Sequence, residues 1–217
     1  MKPKFELNAD YQPASFAFRD KKQVEEILGR YPKGFQRSAV MPLLDLAQRQ
    51  VAEDGAKAKP PYGGWIPRAA MDEIASIVGI APIKVYEVAT FYSMYNLAPV
   101  GKFLVQHCTT TPCWLRGSAD IVKACEKHLG IHTGESTKDG YFTTKEVECL
   151  GACVNAPMVQ INDEYYEDLT PTRVVEILKA LKDGKDVPAG SQTGRRTSMA
   201  ASGPTTLMEK AKKTGVS

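Results

Sequence analysis

The chain has 217 residues, 43% hydrophobic and 24% charged, with five cysteines and a formal net charge of +3. That apolar content supports a packed core and excludes gross disorder, and the length fits two small domains. No stretch reaches the roughly 18 to 20 apolar residues that cross a bilayer, so no direct membrane insertion is expected and any membrane association must pass through partners.

The charge is unevenly placed. From Gly184 to Ser217 there are six Lys/Arg against two Asp/Glu, so this segment carries +4 and the rest of the chain −1. A nearly neutral body argues against nucleic acid as a partner, because phosphate contacts need a basic face. A basic tail suits an acidic protein surface or plain solvation. Five cysteines are too few for a disulfide scaffold, which leaves reduced thiols or metal ligands. The start, Met1-Lys2-Pro3-Lys4, shows neither a signal-peptide apolar region nor an Arg/Ser-rich transit segment, as expected of a processed mature chain.

Residues 1–20 read as an extended N-terminal segment. From Lys21 to Tyr31, Val24, Ile27, Leu28 and Tyr31 form one helical face, and Pro32 ends it. A second helix runs from Ser38 to Val51, with Pro42 near its start, where the missing N–H matters least. Ala52 to Trp65 holds Gly55, Pro60, Pro61, Gly63 and Gly64 and reads as an exposed connection. Pro67 opens a third helix that stops at Gly79. Pro82 opens a fourth, carrying Val85, Val88, Tyr92 and Tyr95. Four amphipathic stripes bury themselves against one another, so residues 21–98 are expected to form a helical bundle.

Past Pro99-Val100-Gly101 the periodicity changes. Lys102 to His107 reads as a strand entering Cys108; Ser118 can cap a helix with Ile121, Cys125 and Leu129 inward. Lys145 to Cys149 and Met158 to Asn162 read as strands, the latter turning into Tyr165-Tyr166. Thr170-Pro171 starts a last helix with Val174, Val175, Leu178 and Leu181 inward. This order describes a small α/β domain over residues 99–184, so the whole chain is a mixed α+β or α/β protein. Residues 185–217, rich in Gly, Ser, Thr, Ala and Pro, read as an extended tail that gains order on another surface.

Four of the five cysteines fall in two close pairs, Cys108-x4-Cys113 and Cys149-x3-Cys153, each after an expected strand. Four thiolates hold either zinc or an iron–sulfur cluster. Zinc knuckles favour Cys-x2-Cys, and neither pair has that spacing; loops of three and four residues suit the wider two-iron centre, so that reading is preferred and zinc is kept as the alternative. Thr109, Thr110 and Thr111 offer hydroxyls and amides to sulfur, and Gly151 permits close backbone approach. His107 can in principle replace a cysteine, as in Rieske centres, but four cysteines are already available. Cys125, on the inward stripe of its helix, reads as a small buried hydrophobe. Trp114 reads as packing or as a water shield, and Arg116 as a counter-charge or a solvated side chain.

No Gly-x-Gly-x-x-Gly follows a strand and no Walker sequence occurs, so the chain shows no nucleotide site of its own. The third and fourth helices, joined through Gly79-Ile80-Ala81, have the outline of a helix-turn-helix, which keeps a redox-sensing DNA-binding regulator as the alternative class. Against it, the would-be recognition helix shows Val85, Tyr86, Val88 and Phe91 and only Lys84 for bases.

The runs Cys108-Thr-Thr-Thr-Pro-Cys113 and Glu148-Cys149-Leu-Gly-Ala-Cys153-Val-Asn-Ala-Pro-Met-Val-Gln-Ile-Asn162 resemble the thioredoxin-like [2Fe-2S] subunits of respiratory complex I, the 24 kDa family of NADH:ubiquinone oxidoreductase. The likeness continues in Leu43-Leu-Asp-Leu-Ala-Gln-Arg-Gln50, Val85-Tyr-Glu-Val-Ala-Thr-Phe-Tyr92 and Tyr165-Tyr-Glu-Asp-Leu-Thr170, and more faintly at Gly194-Arg195. It implies an N-terminal helical bundle followed by a thioredoxin-like ferredoxin domain, with one [2Fe-2S] cluster on Cys108, Cys113, Cys149 and Cys153. It further implies a subunit of a proton-translocating NADH dehydrogenase. Its partners would be a flavin-bearing, NADH-binding subunit that keeps FMN and NADH, and a neighbouring large iron–sulfur subunit. The cluster would accept or store single electrons beside the flavin, off the main chain of clusters. Similar subunits serve bacterial hydrogenases and formate dehydrogenases. The implied location is the matrix side of the mitochondrial inner membrane, in the peripheral arm, or the cytoplasmic face of a bacterial membrane. A cluster- or zinc-stabilised structural adapter is the competing role. One departure is the segment Val51 to Gly64, longer than the family's turn and expected to be a surface insertion.

Overall fold

The computed structural model describes residues 12–200, 202–203 and 206–214. It forms two compact units: Met1–Leu104 with Ser136–Thr143, and Val105–Glu135 with Thr144–Ser217. Residues 1–11 of the expected N-terminal segment lie outside the described residues.

In the first unit, Asp20 starts α1 (Lys21–Gly29) by accepting the Gln23 N–H at 2.9 Å. A 3-10 turn at Gln36–Ala39 leads into α2 (Val40–Gly55). This helix continues one turn beyond the expected end at Val51. Its last turn is held from outside: Arg19 ion-pairs with Asp54 and Glu53 and donates to the Gln50 carbonyl at 3.3 Å. It stops at Gly55, where an added Cβ would lie 2.2 Å from the Tyr62 carbonyl oxygen. Pro67 precedes α3 (Arg68–Val78), and Gly79 ends it in the left-handed conformation at φ 70°. Pro82 opens α4 (Pro82–Phe91) at a position that needs no donor.

The fourth helix ends before Tyr92, earlier than the aromatic spacing suggested. The chain is drawn back onto α2 instead: the Tyr95 hydroxyl donates to the Met41 carbonyl at 3.0 Å and Gln48 accepts the Asn96 N–H at 2.8 Å. Leu43, Leu44, Ile66, Met71, Ile74 and Val85 fill the core among these helices. The connection expected to be exposed is so at Ala56, Lys57, Lys59 and Pro60, while its C-terminal end closes on its own unit. Trp65 is buried, Gly63 donates to the Val100 carbonyl at 2.8 Å, and Ile66 donates to Asn96 at 2.8 Å.

The second unit is built on a sheet of order β2-β1-β3-β4-β5, comprising β1 (Phe103–Cys108), β2 (Phe142–Val147), β3 (Val159–Ile161), β4 (Glu164–Glu167) and β5 (Gly190–Ser191); the first two residues of β1 and of β2 group with the first unit. β1 and β3 run antiparallel with Val105 opposite Ile161, β3 and β4 antiparallel with Ile161 opposite Glu164, and β4 and β5 parallel. The two-residue turn between β3 and β4 places Asn162 at φ 54°, a conformation asparagine tolerates.

Between β1 and β2 come a short helix, α5 (Thr111–Leu115), and α6 (Ser118–Leu129). Only Arg116 and Gly117 separate them, so the cap position falls to Gly117 at φ 93° and Ser118 becomes the first helical residue rather than the expected cap. Thr170 caps α7 (Pro171–Lys182) by accepting the Arg173 N–H at 3.1 Å. This helix packs on α6 and buries Val174, Ile177 and Leu178; Val175 and Leu181 are only partly buried. Two residues of the tail expected to lie on another surface, Gly190 and Ser191, pair with β4 of its own sheet as β5. Among the described residues no helix is long and apolar enough to cross a membrane. The mixed sheet with its helices is the α+β architecture expected for a thioredoxin-like ferredoxin domain that follows a helical segment in the sequence.

Two glycines separate packing from backbone freedom. A Cβ at Gly63 would sit 2.3 Å from the Gly101 carbonyl oxygen, whereas one at Gly29 meets nothing within 4 Å. Gly63→Ala should lower the urea unfolding free energy by about 1–3 kcal/mol or more, through overpacking. Gly29→Ala should raise it by about 0.4–1 kcal/mol, by restricting the unfolded chain.

Candidate metal centre

Each cysteine pair sits where a strand gives way to a loop. Cys108 is the last residue of β1, and Cys113 lies inside α5, so a strand end and one helical turn place these two sulfurs together. β2 ends at Val147, earlier than expected, which leaves Cys149 in open loop; Cys153 begins the 3-10 turn Cys153–Asn155. This turn packs against α5, which brings the second cysteine pair near the first. The Cys149 and Cys153 sulfurs are 3.4 Å apart, and Cys108 and Cys113 hydrogen-bond to each other. Among the described residues no three His, Cys, Asp or Glu side chains gather tightly enough to hold one ion. The sulfurs stand as two pairs, bridged by shared donors.

Those donors are the chemical character of the site. The Thr110 hydroxyl is 3.3 Å from the Cys108 sulfur and also hydrogen-bonds Cys149, so one side chain serves both loops. The Leu150 N–H crosses from the second loop to Cys108, the Gly151 N–H reaches Cys149 at 3.4 Å, and the Met158 N–H reaches Cys113. Gly151 makes its approach at φ 84°, which explains a glycine there. Thr109 is engaged elsewhere, donating to Glu146 at 2.5 Å.

The two pairs titrate differently. Burial opposes ionisation of Cys108, but the hydrogen bonds from Thr110, Leu150 and Cys113 outweigh it and hold the thiol below its ordinary range. Cys149 is exposed and is lowered chiefly by the Gly151 N–H. Burial, with the neighbouring Cys108, pushes Cys113 up to about 12. Cys153 is raised by its hydrogen bond with Cys149. The first pair sits in an apolar pocket with Ala156 and Met158, edged by Leu150, Ala152 and Tyr165. The Tyr165 hydroxyl donates to the Leu150 carbonyl at 2.8 Å and so holds the second loop over the first.

Cys125 is fully buried on α6, and burial pushes it up to about 12, as suits a small hydrophobe. His107 is 1% exposed on β1, and neither ring nitrogen has a hydrogen-bond partner. Trp114 and Leu115 are 63% and 70% exposed, so Trp114 is not core packing. Arg116 is exposed, and its charge helps hold Asp168 below the usual carboxylate range. Leu150, Met158 and Tyr165 were missed by sequence reasoning. Main-chain donors carry no residue signature, and only the cysteine spacing points to where they must lie.

Four thiols in two adjoining pairs, supplied with N–H and O–H donors, thus lie at the edge of a small mixed sheet. The model of the thioredoxin-like [2Fe-2S] ferredoxin family matches residues 24–182, and the chain belongs to this family. It is 50% identical over 204 residues to the mitochondrial NADH dehydrogenase [ubiquinone] flavoprotein 2 of Dictyostelium discoideum, covering 94% of this chain and 78% of that one. It is 53% identical over 172 residues to an NADH-quinone oxidoreductase subunit of Rickettsia conorii, covering 78% and 96% respectively. Among solved structures, an air-oxidized NAD+-reducing [NiFe]-hydrogenase shares the fold with a TM-score of 0.52 at 18% identity; the match covers 67% of this chain and 23% of that one.

Thiol reactivity should follow the donors. In the metal-free reduced chain at neutral pH, iodoacetamide should label Cys149 first and leave Cys113 and Cys125 slowest, as read by peptide mass spectrometry. Burial pushes His107 down to about 4 against the charges of Glu126 and Glu146. Its neutral form is therefore the folded one, and the unfolded chain takes up the proton first. Stability from this group is intact above about pH 6.5 and is lost as pH falls toward 4, by about 3 kcal/mol in all. Denaturant unfolding of the metal-free chain should show that loss, and His107→Phe should remove it.

Proposed function

We propose that Cys108, Cys113, Cys149 and Cys153 hold one [2Fe-2S] cluster and that the chain carries single electrons in an NADH-oxidising complex. The observation that carries this reading is the adjoining of two cysteine pairs, with the Thr110 hydroxyl 3.3 Å from the Cys108 sulfur and near enough to Cys149 to lower that thiol as well. A bound cluster would supply one-electron redox chemistry with all four protein ligands as thiolates. The chain's part is electrostatic and steric. Thr110, Leu150, Gly151 and Met158 direct hydrogens at sulfur and so temper the negative charge that reduction adds, which is how second-layer contacts set a potential. The apolar pocket of Ala156 and Met158 keeps water from the first pair, while the second pair, more exposed, faces outward.

The family membership and the names of its relatives support a place in the NADH dehydrogenase assembly. There the chain would adjoin a flavin-bearing, NADH-binding subunit and a large iron–sulfur subunit, taking or storing an electron beside the flavin while FMN and NADH stay on the partner. The name of the mitochondrial relative supports a mitochondrial setting and the Rickettsia relatives a bacterial one; the matrix side of the inner membrane, in the peripheral arm, or a bacterial cytoplasmic face, is the finer placement proposed from the family resemblance. The exposed Trp114, Leu115 and Val154 beside the two cysteine loops offer the apolar contact such a neighbour requires.

Anaerobically purified full-length chain should be coloured, bleach with dithionite, give a one-electron paramagnetic signal and contain about two irons and two sulfides. Serine at any of the four positions should remove or alter the chromophore, and Cys125→Ala should leave it intact. A colourless, paramagnetically silent chain loaded with zinc would replace this reading with a structural adapter. In the assembled complex, Cys149→Ala with unchanged flavin reoxidation and radical yield would sink the electron-storage role alone.

A further inference from the structure

We propose that Arg195 is a positioning residue for the second cysteine loop, acting from the C-terminal tail as a strap on the backbone that carries Cys153. This rests on the cluster reading above. Arg195 and Asp168 form an ion pair with each side chain only 10% exposed. The same guanidinium donates to the Val154 carbonyl at 3.0 Å and to the Met199 carbonyl at 3.3 Å. Asp168 is fixed in turn by the Ser191 hydroxyl at 2.7 Å, and that hydroxyl accepts the Arg195 N–H at 3.1 Å.

The backbone of this loop shows what the strap is for. Past Cys149 the chain belongs to no strand until Val159, so its carbonyls need partners from outside a ladder. The 3-10 turn satisfies the carbonyls of Ala152 and Cys153, and the N–H groups of Asp168 and Leu169 satisfy those of Asn155 and Pro157. The Val154 carbonyl, the one beside Cys153, is taken by Arg195. The tail takes a second hold one residue on, where the buried Asn155 side-chain amide donates to the Thr197 carbonyl at 2.8 Å and to Glu167 at 2.6 Å. The Val154 side chain itself is 63% exposed, so it adds no apolar anchor of its own to the packing of this turn against α5. A planar fork can bind a carboxylate and a carbonyl together, which a lysine ammonium cannot.

The experiment uses the full-length chain with its cluster, as wild type, Arg195→Lys, and the double variant Arg195→Gln/Asp168→Asn, which removes both buried charges together and leaves neither unpaired. Three readouts apply: amide hydrogen exchange over residues 153–156 of the metal-free chain, the half-time of bleaching under an iron chelator, and the shape of the paramagnetic signal. Both variants should exchange faster at 153–156 with β1 and β3 unchanged. They should bleach about ten- to a hundredfold faster, the usual loss when a residue supporting a ligand is removed, with an altered signal. A lowered unfolding midpoint with unchanged bleaching and signal would make the contact a plain stabiliser and overturn the proposal, as would unchanged exchange. If wild-type chain holds no iron and sulfide, the cluster reading falls separately. Exchange then decides the strap: acceleration confined to 153–156 upholds it, and none overturns it.

Discussion

Thiolates held close together repel one another, so four cysteines acting as the proposed ligands depend on the N–H groups that the surrounding backbone aims at sulfur. Such donors come from outside regular strand, since a paired strand spends its N–H groups on the ladder. The structure supplies them by ending β1 at Cys108, ending β2 short of Cys149 and entering β3 only at Val159. The freed amides of Leu150, Gly151 and Met158 then turn to sulfur. Strand ends, the helical turn of α5 and the 3-10 turn all follow from one electrostatic need.

The same need orders the surroundings. Loops that give their N–H groups to sulfur must have their carbonyls satisfied elsewhere, and these partners come from Tyr165, the segment between β4 and α7, and the tail. The sheet thus acts less as a core than as a frame whose edges supply fixed partners to two irregular segments. In the first unit the irregular segment after α2 obeys the same bookkeeping of backbone groups: Gly63, Ile66 and Tyr62 each find a carbonyl within their own unit.

Most of the helices were legible because their signals are local. Asp20, Pro67, Gly79, Pro82 and Thr170 act where they stand, through caps, a left-handed stop or a fixed φ. The errors fall where distant residues decide. α2 outran its apolar stripe because Arg19 holds its last turn, and α4 stopped short because Tyr95 and Asn96 are drawn to α2. The two cysteine pairs could be read from spacing, since ligand chemistry constrains residue type. Cys125 could be set aside for the same reason: it lies on a helical stripe of hydrophobes. The donors to sulfur were only half visible, because a hydroxyl such as that of Thr110 has a residue name whereas a main-chain amide has none. Arg195 was unreadable as a loop support, standing in a segment whose composition suggests solvent and whose partner Asp168 lies 27 residues earlier.

The tail's attachment also bears on the order in which the site is completed during synthesis. A chain grows from its N terminus, and Arg195 stands 42 residues after Cys153. When the last of the four cysteines leaves the ribosome, the Val154 carbonyl and the Asn155 amide still lack their tail partners, and the second loop is free to open and close. Only after Thr197 has emerged can the latch be fastened. If the strap proposed above holds, a shortened product ending before Arg195 would leave the Val154 carbonyl and the Asn155 amide without their tail partners for its lifetime.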